Sequence, residues 1–111
     1  MPTPPTSYDL VISNGRVIDP ANGLDAQLDI AISGGKIAAV ESNIDTSATK
    51  RVVDATGLVV TPGLIDLHVH AAAGIRKPMG DDFMVAPDTA GVSAGVTTIL
   101  DAGSTGALNA I

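Results

Sequence analysis

The first sixty residues alternate between short apolar runs and turn signals. Residues 8–13 are apolar and β-rich, Asn14-Gly15 is a turn pair, and residues 16–19 resume the run, which predicts a hairpin. Pro20-Ala21-Asn22-Gly23 reads as a loop. Residues 27–33 alternate, with Leu28, Ile30 and Ile32 on one face, and Gly34-Gly35 turns the chain into residues 36–41 as a second hairpin. Residues 42–50 are polar and irregular. Residues 51–54 and 58–61 form two more short apolar runs around Thr56-Gly57. Short strands at this spacing predict a small antiparallel β-sandwich or barrel over residues 8–61, behind an extended tail over residues 1–7.

The pattern changes at Thr61-Pro62-Gly63. Residues 64–70 read as a strand and residues 71–86 as a long mixed loop. Residues 87–94 read as a short helix, with Pro87 in its first turn and Gly95 as its stop. Residues 96–100, Val-Thr-Thr-Ile-Leu, are a β-branched strand, and residues 101–106 a Gly/Ser loop. Strand, crossover helix, strand is a βαβ unit, which implies a parallel pair. The predicted class is therefore β followed by α/β, divided near residue 62. Parallel strands are normally covered on both faces. A lone βαβ unit cannot cover itself, so self-association or poor solubility is expected of the isolated chain.

Composition narrows the function classes. The chain has 111 residues, 45% of them hydrophobic, and lacks Trp, so its core must be built from small aliphatic side chains. The net charge of −6 and the scattered basic residues argue against a nucleic-acid partner. Cysteine is absent, so neither a disulfide framework nor a thiolate metal site exists. The first residues carry no basic and apolar signal segment, and no apolar stretch approaches the ~18 residues of a membrane span. A cytoplasmic location is the resulting expectation.

Both histidines of the chain, His68 and His70, lie in one strand. Strict alternation puts Asp66, His68 and His70 on one face and Ile65, Leu67 and Val69 on the other. Polar groups on a covered strand cost roughly 1–3 kcal/mol each if unsatisfied. A divalent ion resolves this, because two neutral imidazoles two residues apart can face one zinc at ~2.0–2.1 Å. Ordinary hydrogen-bonded or solvated strand histidines are the other reading, and the local pattern leaves both open.

A resemblance then enters. The run from Asp54 to His70, with Pro62-Gly63-Leu64-Ile65-Asp66-Leu67-His68-Val69-His70 at its end, resembles the entry into the catalytic barrel of the amidohydrolase superfamily, which includes dihydroorotases, dihydropyrimidinases and deacetylases. Residues 10–19 and 29–40 are similar to the strands of that family's small β-sandwich, and residues 91–106 to its first barrel helix and second strand. The resemblance is greatest to the amidohydrolase/deacetylase or dihydroorotase-like subgroup. It implies a (β/α)8 TIM-like barrel with one or two divalent metals, usually zinc, at its C-terminal mouth. The metals activate a water that attacks an amide or cyclic amide. His68 and His70 would be metal ligands and Asp66 a supporting group beside them.

The chain also departs from that pattern. A bridging lysine or acid, two further histidines and a late aspartate are expected in the family, and no third histidine exists here. A barrel takes ~200 or more residues, whereas 111 residues end soon after the second strand. The expectation is an N-terminal fragment, a split subunit or a truncated reading frame, inactive alone. Dihydroorotases usually carry an arginine two residues past the second histidine, where this chain has Ala72, which argues against dihydroorotate as substrate.

Asp101, at the end of the second strand, would either touch substrate or accept N–H groups in the Gly103-Ser104 turn. The Gly103–Gly106 loop lacks the lysine of a phosphate loop. Arg76 and Lys77 read as solvated charges or partners of a substrate carboxylate; Asp81 and Asp82 suit a helix N-terminus. Three readings follow: part of a metal-dependent amidohydrolase acting on a small-molecule amide, a non-catalytic β interaction module or subunit completed by another chain, or a structural fragment with no independent role.

Overall fold

A computed structural model describes residues 7–71 and 85–103. The chain divides into two units, Met1–Pro62 and Gly63–Ile111. The expected tail up to residue 6, Ala72, Arg76, Lys77, Asp81, Asp82 and residues 104–106 lie outside the described residues. Among the described residues, no helix is long and apolar enough to cross a membrane.

In the first unit, β1 (Leu10–Asp19), β2 (Leu24–Ser33), β3 (Lys36–Glu41), β4 (Val52–Asp54) and β5 (Val59–Val60) form one sheet in the order β3-β2-β1-β4, with β5 also on β1. Gly34 and Gly35, at φ 58° and 73°, make the tight β2–β3 turn read from the sequence. The Asn14-Gly15 hairpin does not form. β1 runs straight through the pair, and the register slips there, so that Ser13 and Asn14 face the single residue Asp29 of β2. Asn14 takes the left-handed φ of 63°, as a turn residue would, but spends it on a bulge. The hairpin bend falls instead at residues 20–23, where Asp19 caps a 3-10 turn and Gly23 leaves it at φ 66°.

The module is also not wholly antiparallel. β2 runs antiparallel to β1 and β3 to β2, but β4 and β5 run parallel to β1. Residues 42–51 cross from β3 to the far edge of β1, and alternation in β4 and β5 reports a strand without its direction. That crossing segment brings Ile44 against Val11 and Ala31 in the core, with Tyr8 and Ala39 packed around them. Small side chains dominate because the strands approach closely: a Cβ on Gly15 would sit 2.6 Å from Val60 Cγ2.

Exposed carboxylates brace this unit. Asp9 accepts from Lys50 Nζ at 2.6 Å and from the Gly34 N–H at 2.8 Å, and the lysine bond is the main cause holding its pKa below 3.8. Asp54 is likewise lowered, first by the Thr56 hydroxyl and then by the Asn14 side-chain amide. Carboxylates with depressed folded-state pKa values stabilise above their unfolded pKa and lose that contribution as pH falls through the folded one. The melting temperature is therefore expected to be flat from pH 7 to about 5 and to fall below about 4, and Asp9→Asn with Asp54→Asn should flatten that drop in thermal melts followed by circular dichroism.

In the second unit, β6 (Leu64–Val69) and β7 (Val96–Asp101) pair in parallel. A Cβ on Gly63 would overlap the Thr97 side chain, so the chain enters β6 beside β7 only without one. The expected helix over residues 87–94 is not a regular α-helix but a π turn, Pro87–Gly91, followed by a 3-10 turn, Val92–Ala94. Pro87 and Gly95 do bound it, Gly95 at φ 83°. Gly91 and Val92 in so short a stretch give too little propensity to close regular helical turns.

Candidate metal site

β6 carries the chemistry-bearing residues toward its C-terminal end. The rings of His68, in β6, and His70, just past its end, meet edge to face, with centroids 5.6 Å apart and planes at 78°. Residues on opposite faces of a strand point away from each other, so this separation puts the rings on one side. His68 is exposed and His70 half-buried.

Asp66 does not join them. Its Oδ1 accepts the His68 backbone N–H at 2.9 Å, a local bond of the kind Asp makes two residues on. β6 pairs Asp66 with Ile99 and Val69 with Asp101, three steps against two, which offsets the one step against two between the Leu64–Val96 and Ile65–Thr98 pairs. The two rings stay together, and the Asp66 carboxylate engages the His68 main chain.

Asp101 closes the same edge. Its Oδ2 accepts the Ala71 N–H at 2.9 Å, on the neighbouring chain segment, while Ser104 of the expected turn lies outside the described residues. The Ala102 N–H donates to the Val69 carbonyl at 2.8 Å, and the Val85 N–H to the His70 carbonyl at 2.9 Å. Asp101 is read from the sequence as a backbone acceptor; the Asp66 bond to the His68 N–H is not, although an acid two residues before an N–H is a signal for it.

The pair fits a metal ion by donor chemistry and by spacing. Two imidazoles each holding one zinc at about 2.0–2.1 Å with a tetrahedral angle between them have centroids roughly 5 Å apart. Among the described residues, no three His, Cys, Asp or Glu side chains cluster into a fuller site. On the first unit, a cleft of about 480 Å³ is lined by Asn14, Arg16, Asp25 and Leu58 among others. Arg16 and Asp25 neutralise each other there through bonds of 2.7 and 2.8 Å, which leaves no unbalanced charge for a ligand.

No protein-family model matches the chain. Over 61 residues it is 54% identical to a dihydroorotase of Streptococcus thermophilus, covering 55% of this chain and 14% of that protein. Over 91 residues it is 42% identical to a dihydroorotase of Elusimicrobium minutum, covering 80% of this chain and 20% of that protein.

Among solved structures it is similar to an adenine deaminase, with a TM-score of 0.69 and 40% identity over 89% of this chain and 24% of that one. It is similar to a dihydroorotase, with a TM-score of 0.67 and 34% identity over 87% of this chain and 24% of that one. A zinc complex of the N-acyl-D-glutamate deacylase of Bordetella bronchiseptica gives a TM-score of 0.64 and 29% identity over 84% of this chain and 18% of that one. These similarities all point to the amidohydrolase superfamily, and the first unit fits the N-terminal β-sandwich of amidohydrolases. It spans 14% of one curated relative and 20% of the other.

Proposed function

We propose that this chain forms part of a metal-dependent hydrolase that cleaves a C–N bond of an amide or cyclic amide. The observation that carries the reading is the pair of imidazoles 5.6 Å apart at the C-terminal end of β6, in a chain whose curated relatives are dihydroorotases. His68 and His70 hold a divalent ion, zinc first among candidates because the similar deacylase was solved with zinc. When bound, such an ion polarises the carbonyl and acidifies a water. The chain's own residues supply position: the imidazoles fix the ion's place at the strand end, and Asp101 ties that end to residue 71.

The β6–β7 pair is proposed as the opening of a (β/α)8 barrel. Leu67 is 69% exposed, Ile65 64% and Leu100 58%, apolar area that further strands and helices would cover. The same exposure favours completion by another segment or chain over an independent interaction module. With two ligands of its own, the 111-residue chain turns over no substrate; a protein that adds the remaining ligands does.

Ala72, where the resemblance leads one to expect arginine, argues against dihydroorotate as the substrate and leaves acyl amides and other cyclic amides. The test is a zinc-loaded gene product containing this segment, assayed on dihydroorotate, a hydantoin and N-acyl amino acids. Chelator-sensitive hydrolysis of an acyl amide or hydantoin is expected. Hydrolysis indifferent to chelator, or none of any substrate by a metal-loaded folded protein, would overturn the reading.

A further inference from the structure

We propose that Asp66 is a positioning residue for the imidazole pair: it holds His68 through the main chain and contributes no ligand of its own. The inference rests on the metal-site reading above for its purpose, but on three observations of its own. Between the Asp66↔Ile99 and Val69↔Asp101 pairs β6 takes three steps to two on β7, restoring the register that slips the other way between Leu64 and Ile65. The His68 N–H inside that extra step is taken by Asp66 Oδ1 at 2.9 Å. The two rings nevertheless end 5.6 Å apart on one side.

A bulge re-aims side chains and disturbs the ladder that would fix them. Without an acceptor at this step, the main chain at His68 has a free donor and a choice of conformations, and the ring's direction goes with it. The Asp66 carboxylate removes that choice. It acts by acceptor geometry, because a short side chain two residues upstream reaches this N–H whether it ends in a carboxylate or an amide.

Asp66→Asn, which keeps the acceptor, is therefore separable from Asp66→Ala, which removes it, and from Asp66→Ser, which retains a weaker one. The experiment is NMR of the isotope-labelled 111-residue chain without metal, followed by zinc titration. In the unsubstituted chain and in D66N, the His68 amide is expected to exchange slowly, and ring protons of His68 and His70 to show a mutual Overhauser contact. In D66A both signatures are lost and zinc affinity falls about tenfold, the lower end for an outer-sphere support; D66S lies between. Should D66A not fold, the D66S and D66N comparison carries the same contrast.

Fast exchange of the His68 amide in the unsubstituted chain would overturn the inference. So would an unchanged ring contact in D66A, or a D66N variant that loses as much as D66A, since charge or direct ligation would then be at work. Failure of the metal reading looks different: both signatures stay intact and zinc leaves the ring resonances unmoved.

Discussion

Replacing either His68 or His70 with alanine is expected to lower the zinc affinity of the chain at least about a hundredfold, more than the 10–100-fold seen when only an outer support is lost. In the proposed site each imidazole is one of two donors, so neither single variant keeps a chelating pair. His68 is exposed and His70 only half-buried, so the metal-free melting temperature should move little. That contrast separates loss of a ligand from loss of the fold. Calorimetric zinc titration of the three proteins at one pH reads it directly, and equal affinities would remove the histidines from any metal site.

Asp29→Ala is expected to be the most destabilising exchange in the first unit. Asp29 is 7% exposed, and each of its oxygens accepts one backbone N–H: Oδ1 from Asn14 at 2.8 Å and Oδ2 from Ile44 at 2.9 Å. The first bond satisfies the donor that the β1 bulge turns away from the ladder. The second fixes the crossing segment that brings Ile44 into the core. Alanine strands both donors at roughly 1–3 kcal/mol each, so a loss of about 3–5 kcal/mol is expected, against a total of about 5–15 kcal/mol for a domain. Asp29→Asn retains one acceptor and should lose about half as much. Urea unfolding followed by circular dichroism measures both, and a loss below about 1 kcal/mol for the alanine variant would show that the bulge is held by something else.

These two residues also mark what a linear reading captures and what it misses. The histidine pair was legible because two residues of one type at strand spacing need no tertiary information to be placed together. The Gly34-Gly35 hairpin was legible because both positions demand positive φ and only glycine gives it freely. Asn14-Gly15 carries the same local preference, yet its outcome was set by a neighbour fifteen positions on, the Asp29 carboxylate, and by the close approach of Val60 to Gly15. Strand direction was equally hidden, since β4 and β5 alternate alike whether they run with β1 or against it.

At the site, the two register shifts of β6 against β7 lie in the pairing of the strands, and no periodicity in β6 alone records them. Counting by twos places Asp66 beside the histidines, but it does not foretell that its carboxylate takes the His68 backbone N–H. The crossover helix was over-read for a different reason. Its proline and glycine mark the ends correctly, but end signals do not supply the helical propensity of the residues between them.

X-ray absorption at the zinc edge of the metal-loaded chain reaches the central claim with the fewest steps. Two imidazole scatterers at about 2.0–2.1 Å are expected in the unsubstituted chain, one in His68→Ala, and no loss in Asp66→Asn. A spectrum with oxygen neighbours alone, identical in all three proteins, would contradict the account.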